Sequence, residues 1–228
     1  LIRIGAACFW ETRLAEGESF AFPDSESYWE LGAAIAHGRP YQFAESRAFR
    51  TPGYPLLLSP LFIAFGDQPP VMAARWVGAV LGTVVVWGIG CLAWKLFDER
   101  AGLVAALLCA LYPGAIAMSI LVLSEALFCP LMIAQLVCWT VAAQSKSSRQ
   151  MLTFAALAGV AAGLATLTRP SWLLFTPLAI VVAMVFSSNW NWLLYPSDAA
   201  DDPPLLDLGG RRLIKQKNNR STNITQYY

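Results

Sequence analysis

Between Val71 and Ser187 the chain is written almost entirely in hydrocarbon, as a series of long runs without a charged side chain. These are Trp76 to Trp94, Ala101 to Leu123, Ala126 to Ala143, Met151 to Thr168 and the shorter Ser171 to Phe186. An apolar helix of roughly 20 residues covers the ~30 Å hydrocarbon layer of a bilayer. The pattern therefore predicts an all-α fold, a multi-span transmembrane helical bundle. Composition agrees: 14% of the residues are charged, where a soluble domain carries about a quarter. A net charge of +1 supplies no field for nucleic acid, so membrane lipids are the expected surroundings and nucleic acid is not an expected partner.

The polar residues divide the chain into four parts. Residues 1–13 read as the last turns of a first transmembrane helix begun earlier, so the chain is expected to be a fragment of a longer protein. Residues 14–70 read as a long external loop with short interfacial helices. Residues 71–187 hold about five transmembrane helices, and 188–228 form a polar tail. That tail, from Pro196 to Tyr228, has no usable period; it reads either as a cytoplasmic linker or as sequence foreign to the rest. Compact basic junctions at Lys95/Arg100 and Lys146/Arg149 are expected on the cytoplasmic side. The turns at Tyr112 to Glu125 and Thr168 to Ser171, with the long loop, then face outward, which predicts a multi-pass membrane protein with its large loop outside. Within the loop, Tyr28, Leu31, Ile35 and Ala36 have helical spacing over Ser25 to His37, with Asp24 or Ser25 as N-cap candidates and Gly38 as a stop. Leu56 to Phe65 is too short to span and reads as an interfacial or re-entrant helix entered through a Pro52-Gly53-Tyr54-Pro55 turn. Gly159 and Gly163 have the small-x-x-x-small spacing that permits close helix contact. The five cysteines lie scattered through apolar runs, as small buried hydrophobes do.

Spans carry little chemistry, so a reaction is expected where polar groups collect at the membrane surface. Asp24, among Phe20, Phe22, Tyr28 and Trp29, admits two readings: a helix cap, or a base that takes the proton of an acceptor hydroxyl. Arg50 stands ahead of the stiff Pro-Gly-Tyr-Pro stretch. It is either an arginine resting among headgroups or one that holds a lipid phosphate through paired hydrogen bonds. Arg75, at the mouth of the Trp76 run, admits the same two readings. Glu125 interrupts two apolar runs, where an unpaired charge costs about 2.5–3.5 kcal/mol at membrane depth. It is interfacial or points into a polar cavity, and Arg169 should lie at the same face. His37 is the only histidine and is expected at a helix end. No Gly-rich phosphate loop, H-E-x-x-H or paired metal-ligand motif occurs, so no cofactor is assigned, although Asp24 with Glu26 could bind a divalent metal.

Taken in order, the motifs are Asp24-Ser25-x-x-Tyr28-x-x-Leu31-Gly32, Gly38-Arg39-Pro40-Tyr41, Arg50-Thr51-Pro52-Gly53-Tyr54-Pro55, Leu123-Ser124-Glu125-Ala126-Leu127-Phe128 and Leu167-Thr168-Arg169-Pro170. The series resembles the GT-C glycosyltransferases, in particular the dolichyl-phosphate-mannose protein mannosyltransferases and bacterial aminoarabinose transferases, over about residues 1 to 187. The resemblance implies a sugar donor on a polyprenyl phosphate and a lipid, glycan or protein acceptor at the outer face. It also implies inversion in a single displacement. Asp24 matches the family's loop acid, which serves as catalytic base. Arg50, with Arg75, matches the basic residues that contact the donor phosphate. Tyr28, Tyr54, Glu125 and Arg169 are then expected to line the pocket. Many relatives carry paired acids, whereas Ser25 follows Asp24 here. A non-enzymatic lipid transporter or assembly subunit is the alternative; it would leave Asp24, Arg50 and Glu125 dispersed.

Overall fold

The computed structural model describes residues 1–14, 19–47 and 50–186. In chain order these form α1 (Ile2–Glu11), α2 (Pro23–Ala36), a ribbon of β1 (Gln42–Phe43) and β2 (Ser46–Arg47), and α3 (Gly53–Phe65). The apolar half follows as α4 (Val71–Leu96), α5 (Glu99–Leu111), α6 (Pro113–Ile120), α7 (Glu125–Gln144), α8 (Ser148–Thr168), a 3₁₀ turn (Pro170–Leu174) and α9 (Phe175–Phe186). The chain is all-α, as its hydropathy predicts. The polar tail of 188–228 lies outside the described residues.

Among the described residues three helices, α4, α7 and α8, with 26, 20 and 21 residues, are long and apolar enough to cross a membrane. The run from Ala101 to Leu123 is not one straight helix. It breaks between α5 and α6, which bend by 60°, because Pro113 has no N–H to donate and forces Tyr112 into an extended conformation (φ −66°, ψ 116°). As one broken span it brings the number to four. The last run is a 3₁₀ turn followed by the short α9, again after a proline, Pro170.

Both ends of the bundle are recognisable. Gln144 Nε2 donates to the Lys95 carbonyl at 3.0 Å, so α4 and α7 finish together beside the two basic junctions. At the opposite end, α2 and α3 lie against the beginnings of α4 and α7. Tyr28, Tyr54, Leu58, Ala74, Val122 and Ala126 form one buried cluster there. Gly32 lets α2 sit on α3, since a Cβ at that position would already be 3.1 Å from Leu58 Cβ. Trp29 stacks obliquely on Phe62 at 4.8 Å.

Two local expectations change. The N-cap of α2 is Phe22, with Pro23 at the first helical position, and no side chain caps the helix; neither Asp24 nor Ser25 has that role. Gly38 does end the helix, with a φ of +63°. Pro52-Gly53-Tyr54-Pro55 is the start of α3 itself rather than a separate turn: Pro52 is its N-cap and Pro55 falls in the first turn, where no backbone N–H is needed. Inside α3, Pro60 withholds a donor from the Leu56 carbonyl, which instead accepts the Ser59 hydroxyl at 3.0 Å.

Close helix contact falls on other glycines than expected. Nothing lies within 4 Å of a Cβ built on Gly159 or Gly163. The tight stripe is on α4, where a Cβ on Gly78 would fall on the Ser119 carbonyl oxygen and one on Gly88 would strike Ile133. In lipid, where solvent exclusion does not drive helices together, such backbone approach is a main source of association. Gly78→Val should therefore destabilise the bundle by about 1–3 kcal/mol, read as lost thermal stability in detergent, while Gly159→Val should leave it nearly unchanged. Equal effects of the two substitutions would refute this packing.

Candidate active site

Asp24 occupies the first turn of α2, where the helix N-terminus favours a carboxylate. Its Oδ1 forms an ion pair with Arg50 Nη2. The Asp24 side chain is 55% exposed and that of Arg50 26%, so the pair is open on one side. Such a pair contributes only about 0–1 kcal/mol, and another anion can take the guanidinium without a large penalty. Arg50 is also held from below: its Cζ lies 5.4 Å from the centroid of the Tyr28 ring, a cation–π arrangement. Tyr28 rests edge-on against the buried Tyr54 at 5.3 Å.

The backbone at Arg50 is fixed from two directions. The Tyr41 hydroxyl donates to the Arg50 carbonyl at 2.9 Å. Burial, with a smaller effect of Tyr28, pushes the Tyr41 phenol up to about 12, which keeps it protonated as a donor. Thr51 Oγ1 donates to the Thr168 carbonyl at 2.8 Å. Gly53 completes the seam, since a Cβ there would come within 2.7 Å of both the Leu167 carbonyl oxygen and Thr168 Oγ1. The loop is thus fastened to the end of α8.

That seam delivers a second pair of charges. Glu125, at the start of α7, binds Arg169 Nη1 through Oε1 at 2.5 Å and accepts from the Ser124 hydroxyl through Oε2 at 3.2 Å. Arg169 lies over the Phe128 ring at 5.7 Å. Its neighbours are locked within the bundle: Trp172 Nε1 donates to Gln135 Oε1 at 2.7 Å, and Gln135 Nε2 donates to Thr176 Oγ1 at 2.9 Å. Gln135 is fully buried, so its amide makes these bonds where water would not replace them.

Asp24, Tyr28, Arg50, Glu125 and Arg169 all line one cavity of about 930 Å³. Two of the residues predicted from sequence do not. Tyr54 is 2% exposed and lies behind Tyr28, where burial raises its phenol. Arg75 is also 2% exposed. It pairs with Glu11 and donates through Nη2 to the Ser19 carbonyl at 3.0 Å, joining α1 and the start of the loop to α4 rather than facing this cavity. His37 is the C-cap residue of α2, 3.1 Å from Asp67 and away from the cavity. Glu26 is exposed and outside it, and among the described residues no three His, Cys, Asp or Glu side chains gather as a metal site. Sequence reasoning missed Tyr41 and Thr51, although both stand inside motifs it used. Nothing in the spacing shows that Thr51 meets a residue 117 positions later.

A cavity with two carboxylates and two guanidiniums at one end of an apolar bundle suits a phosphate-bearing lipid and a hydroxyl together. Residues 50–197 match the family described as dolichyl-phosphate-mannose-protein mannosyltransferase. The chain belongs to this family. It is therefore a multi-pass membrane protein of the GT-C glycosyltransferase class. Members of the mannosyltransferase family use polyprenyl-phosphate sugar donors and membrane-embedded acceptors. The match covers Arg50, Arg75, Glu125 and Arg169 but begins after Asp24 and Tyr28. No curated protein and no solved structure matches the chain.

A protonated Tyr41 has a spectroscopic consequence. Phenolate absorbance of the intact protein and of Tyr41→Phe should superimpose up to about pH 11 and diverge only as the pH approaches about 12. A difference developing near pH 10 would show that the Tyr41 hydroxyl is not buried on the Arg50 carbonyl.

Proposed function

We propose that the chain carries the reacting centre of a glycosyltransferase that moves a sugar from a polyprenyl-phosphate carrier to a hydroxyl of a lipid, glycan or protein. The observation that supports this reading is the convergence of Asp24, Arg50, Glu125 and Arg169 on a single cavity. A dispersed arrangement would have favoured a transporter or assembly subunit. The cavity lies at the end of the bundle away from the basic junctions, which the positive-inside tendency assigns to the outer face of the inner membrane.

The chemistry follows from the charges. Asp24 takes the proton of the acceptor hydroxyl as its oxygen attacks the anomeric carbon of the sugar. The bond from that carbon to the phosphate oxygen breaks, and its electron pair leaves with the polyprenyl phosphate. Attack opposite the departing group inverts the anomeric carbon. Arg50 holds the phosphate and stabilises the charge that grows on it. Arg50 pairs with Asp24; a donor phosphate offers it a second, stronger anion, and a shift toward that anion leaves Asp24 oriented toward the acceptor. Glu125 and Arg169 line the same cavity and give the donor's polar end a fixed, nearly neutral surround. Arg75, held by Glu11, has no part in this.

Replacing Asp24 by Asn in the full-length protein should lower transfer by about 10²–10⁴-fold without affecting membrane insertion. Unchanged turnover would remove Asp24 from the mechanism. Arg50→Lys keeps the charge but loses the paired hydrogen bonds, so the KM for the polyprenyl-phosphate donor should rise about tenfold or more. An effect confined to the acceptor's KM would assign Arg50 to the wrong substrate.

A further inference from the structure

A second cavity, about 350 Å³, opens beside the first and shares Glu125 with it. It lies between α1, α4, the α5–α6 break and α7, and its polar groups come from Arg3, Tyr112, Ser119 and Glu125. Arg3 is the unusual member. It is 7% exposed, its Nε and Nη2 have no hydrogen-bond acceptor, and it takes part in none of the ion pairs among the described residues. It is also deep. Arg3 precedes Glu11 by eight residues of helix, about 12 Å, and Glu11 pairs with Arg75 at the outer mouth of α4. A Cβ on Gly82, about three turns into α4, would stand 2.8 Å from Arg3 Nε. A guanidinium held at that depth without an anion is costly.

We propose that this cavity is a binding site for the phosphodiester of a bilayer phospholipid carrying one net negative charge, such as phosphatidylglycerol, with Arg3 as its anion partner. Three observations point to an amphiphilic phosphate monoanion, and the test below separates a bilayer phospholipid from the donor. The guanidinium fork matches phosphate oxygens. Arg3 and Arg169 against Glu125 leave one positive charge, which a monoanionic diester balances and a dianionic monoester exceeds. The wall is broken where α5 and α6 bend by 60°, and Leu107, Leu108, Leu111 and Tyr112 beside the break are all more than half exposed, an apolar flank for acyl chains. The ligand is an amphiphile entering from the bilayer. The site does not depend on Asp24 being the base; Arg3 lines this cavity and not the one that holds Arg50, although the two share Glu125.

The test is retention of lipid by the intact protein. The protein is purified in detergent, supplied with phosphatidylglycerol, washed, and the bound lipid is identified and counted by mass spectrometry. One phosphatidylglycerol per chain should persist and should survive Arg50→Gln. Occupancy should fall about tenfold or more in Arg3→Gln. Ala115→Leu, which fills the cavity from α6 without touching the charge, should have the same effect and carries the test if Arg3→Gln fails to insert. Equal retention in wild type and both cavity variants overturns the proposal, as does failure of the wild type to retain the lipid. Recovery of a polyprenyl phosphate or its sugar diester in place of phosphatidylglycerol would also overturn it, by making the cavity part of the donor site.

Discussion

The cavity at one end of this protein depends on one seam, the approach of the Gly53 backbone to the last carbonyls of α8. Only hydrogen at that Cα allows the contact, because a Cβ would meet the Leu167 carbonyl and the Thr168 hydroxyl at 2.7 Å. Thr51 bonds across the same seam. One residue before Thr51 stands Arg50, and one residue past Thr168 stands Arg169. The seam therefore sets two cations in one cavity, each with its own carboxylate. Together with the buried cluster of Tyr28, Tyr54, Leu58, Ala74, Val122 and Ala126, it holds α2 and α3 in register on the spans.

Desolvation explains how the charges are distributed. The bilayer core admits charge only at a penalty, so ionisable groups collect at helix ends, at breaks, or in pairs. Asp24–Arg50 and Glu125–Arg169 are pairs open to a shared cavity, where a new anion can compete. Glu11–Arg75 has the same chemistry in a closed setting, with the Arg75 side chain 2% exposed, and there it fastens helices together. The difference between a cavity-lining arginine and a fastening one is thus a difference of access. Arg3 is the remaining case, deep and without an acceptor, beside the broken α5–α6 span.

Much of the architecture can be read directly from residue types. Uncharged runs require helices, Gly38 ends α2, and the basic junctions meet at one end of the bundle. The length of those runs was less informative, because a proline interrupts a helix without changing hydropathy: Pro113 splits one apparent span, and Pro170 shortens another. The small-residue pattern misled in a similar way. Gly159 and Gly163 have the spacing for close contact but face open space, whereas Gly78 and Gly88 on α4 make that contact.

Asp24, Arg50, Glu125 and Arg169 were recognisable as candidates from the sequence alone, since charge beside hydrocarbon demands an explanation wherever it occurs. Their convergence was not, nor was the diversion of Arg75 to Glu11 or the retreat of Tyr54 behind Tyr28. By itself the sequence determined that the chain is a membrane helix bundle with its polar chemistry at the ends, because transfer of apolar surface and of charge is additive along a chain. Which charge meets which was decided by tertiary structure alone. Pairing depends on distances between segments more than a hundred residues apart, and those distances exist only once the helices have packed.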